Sequence, residues 1–159
     1  IIYLCFTNLI KFNLMAKDDY LKYWRVIRYY TQRKYNLTAA ELDMLLFLRS
    51  EKYFTKKKFA EFNQLLSWNT KRFYKLMNEG WIEVFSRKKE KFETIYKITN
   101  RSQKMMTIMY RQLSGEELPV EYDINPLFKK RVKYTDKVYR NMIKNMKKFT
   151  RQQQRPSQE

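Results

Sequence analysis

The sequence predicts a mainly α-helical protein with a small β-hairpin, an α+β fold class. Three observations support this. Apolar residues recur at three-to-four spacing through most of the chain, the spacing changes to two between residues 81 and 98, and capping signals precede the helical segments. Hydrophobic residues make up 44% of the 159 residues, so the chain can bury a core. We expect one domain with extensions.

Charge and missing residue types restrict the function. The chain has 34 Lys and Arg against 16 Asp and Glu, a formal charge of +18. This excess indicates a polyanionic partner, with nucleic acid ranked before an anionic membrane surface. There is no His, the one Cys is Cys5, and the two glycines are isolated, so Cys/His metal sites, His-dependent nucleophiles and glycine-rich phosphate loops are excluded.

We therefore predict no enzyme, no catalytic residue, no metal site and no cofactor. Carboxylate chemistry with a bound metal is the catalytic route that the composition leaves open, and we rank it last. A single cysteine fits a reducing compartment, so we expect a cytoplasmic protein associated with DNA.

The first segment, residues 1–14, is apolar but too short to span a membrane, and it lacks the basic start and cleavage site of a signal peptide. Because Met15 begins an ordinary-looking start, we expect residues 1–14 to be upstream or unstructured; the alternative is a hydrophobic arm that packs on a partner. Residues 15–36 predict an N-terminal helix capped by Asp18 or Asp19. Its apolar stripe contains Leu21, Trp24, Ile27 and Thr31.

Residues 37–115 predict a second group of helices. Thr38 and Glu41 form a capping box before an apolar run that marks the central core helix. Thr55 caps the next helix, whose first turn carries Lys56, Lys57 and Lys58. Three lysines there oppose the helix dipole, a cost that is easier to understand if this turn faces phosphate.

The segment between Trp68 and Trp81 predicts one short helix with a capping signal at each end. Asn69 is an N-cap, Trp68 is placed to staple onto Phe73, and Gly80 supplies a left-handed stop. Its buried face contains Phe73, Leu76 and Met77. Its outer face contains Thr70, Lys71, Arg72, Tyr74, Lys75 and Asn78. Such a helix suits a DNA major groove, and a solvated lysine-rich face is the alternative.

The period changes to two after this helix. Residues 81–86 and 92–98 alternate and are rich in aromatic and β-branched types, which predicts two strands of a hairpin. The tip between them is cationic and contains Arg87, Lys88, Lys89 and Lys91. Asn100 and Gln103 predict a capping box for a helix that ends near Gly115.

The C-terminal part begins with a predicted linker, residues 116–125. Asn125 and Pro126 then predict the start of a long basic helix over residues 126–151, followed by a disordered tail over residues 152–159. Apolar residues recur along this helix at spacings of 4 and 3: Phe128, Val132, Thr135, Tyr139, Met142, Met146 and Phe149. Such a seam packs on a partner helix, either within its own domain or across a dimer, and the basic faces suit nucleic acid.

The order of elements predicts a winged helix-turn-helix core flanked by N- and C-terminal helices. From Leu37 to Arg111 the sequence resembles the MarR family of winged helix regulators. The likeness is carried by residues 37–38, 55–59, 69–73, 76–82 and 96–99. The flanking helices match that family's layout, in which the first and last helices interleave in a dimer. The wing departs from the family because it lacks an Asp-x-Arg arrangement, and the last helix is longer and more basic.

The resemblance implies a dimeric, DNA-binding transcriptional regulator. Its recognition helix would place Thr70, Lys71, Arg72, Tyr74, Lys75 and Asn78 at the major groove, with Arg72 on guanine and Asn78 on adenine. The adjacent minor groove or its phosphates would be contacted by the wing cations Arg87, Lys88, Lys89 and Lys91. The DNA backbone would be contacted by Lys56, Lys57 and Lys58. The implied dimer interface is Leu21, Trp24, Ile27, Val132, Tyr139, Met142 and Met146.

Two further expectations remain. The resemblance implies a pocket for a small-molecule effector near Trp24, with no ligand specified. The alternative function is a phage or virion-associated accessory protein that uses the same fold to bind nucleic acid without sequence specificity, or to assemble with other subunits.

Overall fold

The computed structural model describes residues 23–66, 69–87 and 93–153, which divide into two compact units. The central unit is residues 37–108, and the terminal unit joins the described residues up to Asn36 with those from Met109 onward. Several predicted features lie outside the described residues: the segment 1–14, the Asp18 and Asp19 caps, Leu21, the Trp68 staple, Lys88, Lys89, Lys91 and residues 154–159.

The described helices and strands follow the predicted order. Helix α1 is described over residues 23–35. The following elements are α2 (Ala39–Glu51), β1 (Tyr53–Thr55), α3 (Lys56–Leu66), α4 (Thr70–Asn78), β2 (Ile82–Ser86), β3 (Ile95–Ile98), α5 (Asn100–Leu113), a 3₁₀ turn (Pro126–Phe128) and α6 (Tyr134–Gln153). The predicted fold class, a mainly helical α+β protein with a winged helix-turn-helix core, is confirmed.

The sheet has one strand more than the predicted hairpin. It is antiparallel with the order β1-β3-β2, so β3 pairs with Tyr53–Thr55 on one side and with β2 on the other. A three-residue strand is too short to show an alternating pattern, which is why the sequence did not reveal β1. Strand β3 begins at Ile95, later than predicted, because Glu93 and Thr94 are not in strand conformation. Strand β2 has a register shift between Val84 and Ser86.

The core of the central unit forms around α2, as predicted. Leu42, Met44, Leu45 and Leu48 on this helix are fully buried. The predicted capping box at its start is present, because Glu41 N donates to Thr38 Oγ1 and Thr38 N donates to Glu41 Oε2. Two reciprocal hydrogen bonds therefore fix where the core helix begins.

The cap of α5 lies one residue earlier than predicted. Thr99, not Asn100, receives the hydrogen bond from Ser102 N, at 3.3 Å. The Thr99 hydroxyl also donates to the Gly80 carbonyl at 2.9 Å. Thr99 is favoured because its hydroxyl can accept and donate at once, so one side chain caps α5 and holds the turn after α4.

The last helix begins later than predicted. Pro126 opens a single 3₁₀ turn, and α6 begins at Tyr134 and continues to Gln153, past the predicted end at residue 151. The Arg140 guanidinium donates to the carbonyls of Leu127 and Lys129, at 2.7 and 2.8 Å. Those carbonyls would accept backbone hydrogen bonds in a continuous helix, so the side chain replaces the helix there. Phe128 and Val132 consequently lie off the helical part of the predicted seam.

Candidate nucleic-acid interface

Helix α4 is anchored by two fully buried residues, Phe73 and Leu76. The Phe73 ring lies 4.8 Å from the Phe59 ring and 5.1 Å from the Tyr96 ring, measured between centroids. Asn69 Oδ1 caps the helix by accepting from Lys71 N at 2.7 Å. The opposite face of α4 is therefore held in a fixed orientation by contacts with α3 and β3.

Gly80 ends this helix as the sequence predicted. Its φ is +75°, in the left-handed region that favours glycine. Trp81 N then donates to the Leu76 carbonyl at 2.8 Å, and Gly80 N donates to the Met77 carbonyl at 3.1 Å. These bonds satisfy carbonyls of the last helical turn and direct the chain into β2.

The outer face of α4 matches the prediction in exposure. Arg72 is half-buried, and the other members of the predicted set are exposed: Thr70, Lys71, Tyr74, Lys75 and Asn78. Within the described part of the chain, the side chains of Lys71, Arg72 and Asn78 make no hydrogen bond or ion pair. Their donors are available for a ligand.

Lys75 points back into its own unit. Its ammonium lies 2.8 Å from Glu41 Oε1 and 3.7 Å from Glu79 Oε1. The Glu41 residue is only 2% exposed, and its other carboxylate oxygen closes the capping box of α2. The sequence did not reveal this contact, because no local periodicity connects residues that lie 34 positions apart.

Hydrogen bonding keeps the Glu41–Lys75 pair charged. Burial by itself raises the pKa of Glu41, but hydrogen bonds from Lys75 and Thr38 outweigh burial and lower the pKa from its ordinary value. The hydrogen bond with Glu41 raises the pKa of Lys75. The pair thus links α2 to α4 by a charge-assisted hydrogen bond.

We expect this pair to make stability depend on pH. Because the pKa of Glu41 is lower in the folded chain, its contribution is complete above about pH 5 and is lost as pH falls through the folded value. Glu41→Gln should therefore lower the free energy of unfolding by about 1 kcal/mol at pH 7, and the difference from wild type should shrink in acid. Urea unfolding followed by circular dichroism at several pH values measures this.

The matched control is Glu61→Gln, at an exposed position on α3. It should leave the free energy of unfolding within about 0.5 kcal/mol of wild type at every pH. An equal effect of both substitutions, or a Glu41→Gln difference that grows in acid, would refute the assigned role of the Glu41–Lys75 pair.

The lysines at the start of α3 differ in their contacts. Lys56 Nζ lies 2.6 Å from the Tyr74 hydroxyl and 4.7 Å from the Tyr74 ring centroid, and this hydrogen bond raises the pKa of Lys56. Lys58 pairs with Glu51. Lys57 is exposed, and its side chain makes no hydrogen bond or ion pair to any residue that the structure describes.

The turn between α4 and the hairpin is clamped from α5, a feature that the sequence did not reveal. Arg101 Nη1 donates to the Glu79 carbonyl at 3.0 Å, and its guanidinium lies 4.0 Å from the Trp81 ring centroid. Ser102 Oγ donates to the Trp81 carbonyl at 2.6 Å. Together with Thr99, these contacts fix the base of the wing relative to α4. Arg87, at the described edge of the wing, is exposed.

The predicted dimer residues are placed differently within the terminal unit. Ile27 is fully buried, and the Tyr139 ring stacks on Tyr29 with centroids 4.0 Å apart. Met142 and Met146 instead line an apolar groove of about 300 Å³ that also includes Tyr23, Val26, Asn145 and Phe149. Trp24 and Val132 are half-buried. The dimer interface itself remains a prediction.

In residues 23–66, 69–87 and 93–153, no group of three or more His, Cys, Asp or Glu side chains is arranged to hold a metal ion. No helix in these ranges combines the length and apolar character needed to cross a membrane.

Comparisons with known proteins give a structural match and no sequence match. No protein-family model and no curated protein matches the chain. The fold is similar to a crystal structure of a mutant MarR from E. coli complexed with operator DNA. The TM-score is 0.44 and the identity 20%, over 91% of this chain and 96% of that chain.

Proposed function

We propose that this chain is a DNA-binding transcriptional regulator of the MarR-like winged helix type, with α4 as its recognition helix. One observation supports this most strongly. The side chains of Lys71, Arg72 and Asn78 lie on the outer face of an anchored helix and make no hydrogen bond or ion pair with the described residues. A guanidinium fork pairs with two acceptors of guanine, and a side-chain amide pairs with adenine. Arg72 and Asn78 are therefore the proposed base readers, while Lys71 holds phosphate.

The other three predicted contacts of α4 receive different roles. For Lys75 to reach DNA it would have to leave the 2% exposed Glu41 carboxylate without its partner, which is unfavourable. We therefore propose that Lys75 positions α4. Tyr74 and Lys56 act as a pair at the edge of the helix, and Thr70, in the first turn of α4, contacts phosphate.

Phosphate contacts around the recognition helix come from its neighbours. Lys57 at the start of α3 and Arg87 at the described edge of the wing are exposed cations in the same unit as α4. Lysine in a first helical turn opposes the helix dipole, so its presence there is explained better by an anionic ligand than by helix stability. We assign Lys57 to the DNA backbone and Arg87, with the remaining wing cations, to the adjacent groove.

The regulator is proposed to act as a homodimer in the cytoplasm. The apolar groove at Met142 and Met146 offers a surface that a second chain can cover. Two-fold symmetry would place two recognition helices on half-sites about one helical turn, ~34 Å, apart. A small-molecule effector that alters this spacing is part of the proposal, and its chemistry is open.

Salt dependence tests whether the partner is a nucleic acid. Lys57, Lys71 and Arg87 are exposed and carry full charges, so duplex DNA binding should release counterions, and the logarithm of the affinity should fall linearly with the logarithm of salt concentration. Three phosphate contacts in each chain of a dimer give a slope of roughly −5. Fluorescence anisotropy with a labelled duplex at several KCl concentrations measures it. A slope near zero would refute DNA as the partner.

A second candidate is an accessory protein that coats nucleic acid without reading sequence. It is favoured by exposed cations outside α4, such as Lys137 on α6. The two functions differ in competition experiments with unlabelled duplexes. A regulator should be displaced far more readily by its own selected site than by unrelated DNA, whereas a coating protein should be displaced equally by both.

A further inference from the structure

The terminal unit carries a basic concavity, an open surface depression of about 640 Å³ just before and at the start of α6. Five cations line it: Arg33, Lys130, Arg131, Lys133 and Lys137. The sequence marked this stretch as basic but placed it on a continuous helix. In the structure, residues 129–133 are not helical, so three of the cations project from irregular backbone.

The carboxylate that lines the basic concavity, that of Asp136, already has an ion-pair partner in Arg33. Asp136 is fully buried, and the Arg33 guanidinium donates to both of its oxygens, at 3.1 and 3.0 Å. The Tyr29 hydroxyl donates to the same carboxylate at 2.7 Å, and burial followed by this hydrogen bond raises the pKa of Tyr29 to about 12. The carboxylate is therefore fully engaged and does not offset the lysines.

The backbone that presents the cations is held in place by the side chains of Asn125 and Arg140, not by the lining cations themselves. Asn125 is fully buried; its side chain accepts from Leu127 N at 3.0 Å and donates to the Pro119 carbonyl at 2.7 Å. Arg140 holds the carbonyls of Leu127 and Lys129. The segment thus has a defined shape that does not depend on the side chains of Lys130, Arg131 or Lys133.

The four remaining cations have no counterion among the residues that the structure describes. In the described residues, the side chains of Lys130, Arg131, Lys133 and Lys137 make no ion pair or hydrogen bond. Two acidic residues of the same unit are paired elsewhere, Glu116 with Arg111 at 2.8 Å and Glu117 with Lys147 at 3.2 Å. Four like charges around one concavity repel each other, and a polyanion removes that repulsion.

We propose that the basic concavity is a second nucleic-acid site, which binds the phosphate backbone independently of base sequence. The proposal rests on the proposed function in taking nucleic acid as the partner. Three of its four free cations are lysines, which hold phosphate as point charges. A small phosphate ligand would require an enclosed pocket with convergent polar groups, whereas this surface is open and lined by charges.

The test is a charge-matched pair of double variants in the full chain. Lys130→Gln with Lys133→Gln removes two positive charges from the basic concavity, and Lys144→Gln with Lys148→Gln removes two from exposed positions elsewhere on α6. Both are assayed with a random-sequence duplex by anisotropy over a range of KCl concentrations, and folding is checked by thermal melting. The conservative double variant Lys130→Arg with Lys133→Arg keeps the charge.

We expect the first variant to bind on the order of 10-fold more weakly, with the arginine variant close to wild type. The salt slope should become shallower by up to roughly 4, because a dimer loses four phosphate contacts at about 0.9 each. The loss of affinity should be equal for every duplex sequence, whereas a substitution in α4 should alter the preference among sequences. The experiment therefore distinguishes a failure of this proposal from a failure of the proposed role of α4. Equal weakening by both glutamine variants, or none by either, would overturn the proposal. The proposal would also be overturned if the variant Lys130→Gln with Lys133→Gln lost the ability to bind tripolyphosphate but bound the duplex as tightly as wild type.

Discussion

Replacing Lys71 and Arg72 together by alanine is expected to weaken duplex DNA binding roughly 100-fold while leaving the fold intact. Both side chains lie on the outer face of α4, and neither makes a hydrogen bond or ion pair with the described part of the chain. Their removal therefore takes away ligand contacts without breaking internal ones. Band-shift titration measures the affinity, and circular dichroism verifies the helix content.

The control for this double variant is Arg25→Ala with Lys104→Ala, which removes the same two residue types from exposed positions outside α4. Its effect should be threefold or less, because it changes only the long-range field, which salt screens. If the Lys71 and Arg72 double variant binds like this control, α4 is not the recognition helix.

Phe73→Ala is expected to lower the free energy of unfolding by about 3–5 kcal/mol. The ring is 1% exposed and lies within 6.3 Å of the Phe54 ring, in addition to its contacts with Phe59 and Tyr96. Alanine leaves a cavity where these elements meet, so the loss combines transfer and cavity terms. Equilibrium urea unfolding gives the value.

Tyr74→Ala, at the next position of α4, provides the comparison for the free energy of unfolding, because Tyr74 is 41% exposed. It should cost about 1 kcal/mol or less, mostly through its contact with Lys56. Similar losses for Phe73→Ala and Tyr74→Ala would mean that α4 is not anchored by the buried face described above.

Features that depend on short-range spacing were predictable from the sequence. Phe73 and Leu76 lie one helical turn apart, so their shared buried face follows from helix geometry, and Thr38 with Glu41 forms its capping box within three residues. Gly80 likewise marks a local backbone requirement, a positive φ after the last turn of α4. These local signals predicted helix α4 and the face that it exposes.

Features that depend on distant partners were not predictable in this way. The ammonium of Lys75 contacts Glu41, which lies on another helix, and no local pattern predicts that contact. Pro126 gave a helix-start signal, but Arg140 takes the carbonyls that would continue the helix. The basic concavity likewise requires α1 and the start of α6 to meet, because Arg33 and Asp136 join residues that lie 103 positions apart.

The measurement that tests the central claim most directly is selection of binding sites from a random duplex library with wild-type protein and with Arg72→Ala. We expect wild type to enrich a palindrome whose half-sites lie about one helical turn apart, and Arg72→Ala to lose the preference for guanine at one position in each half-site. If wild type enriches no sequence, or if Arg72→Ala enriches the same palindrome with the guanine retained, the proposed reading of DNA by α4 is wrong.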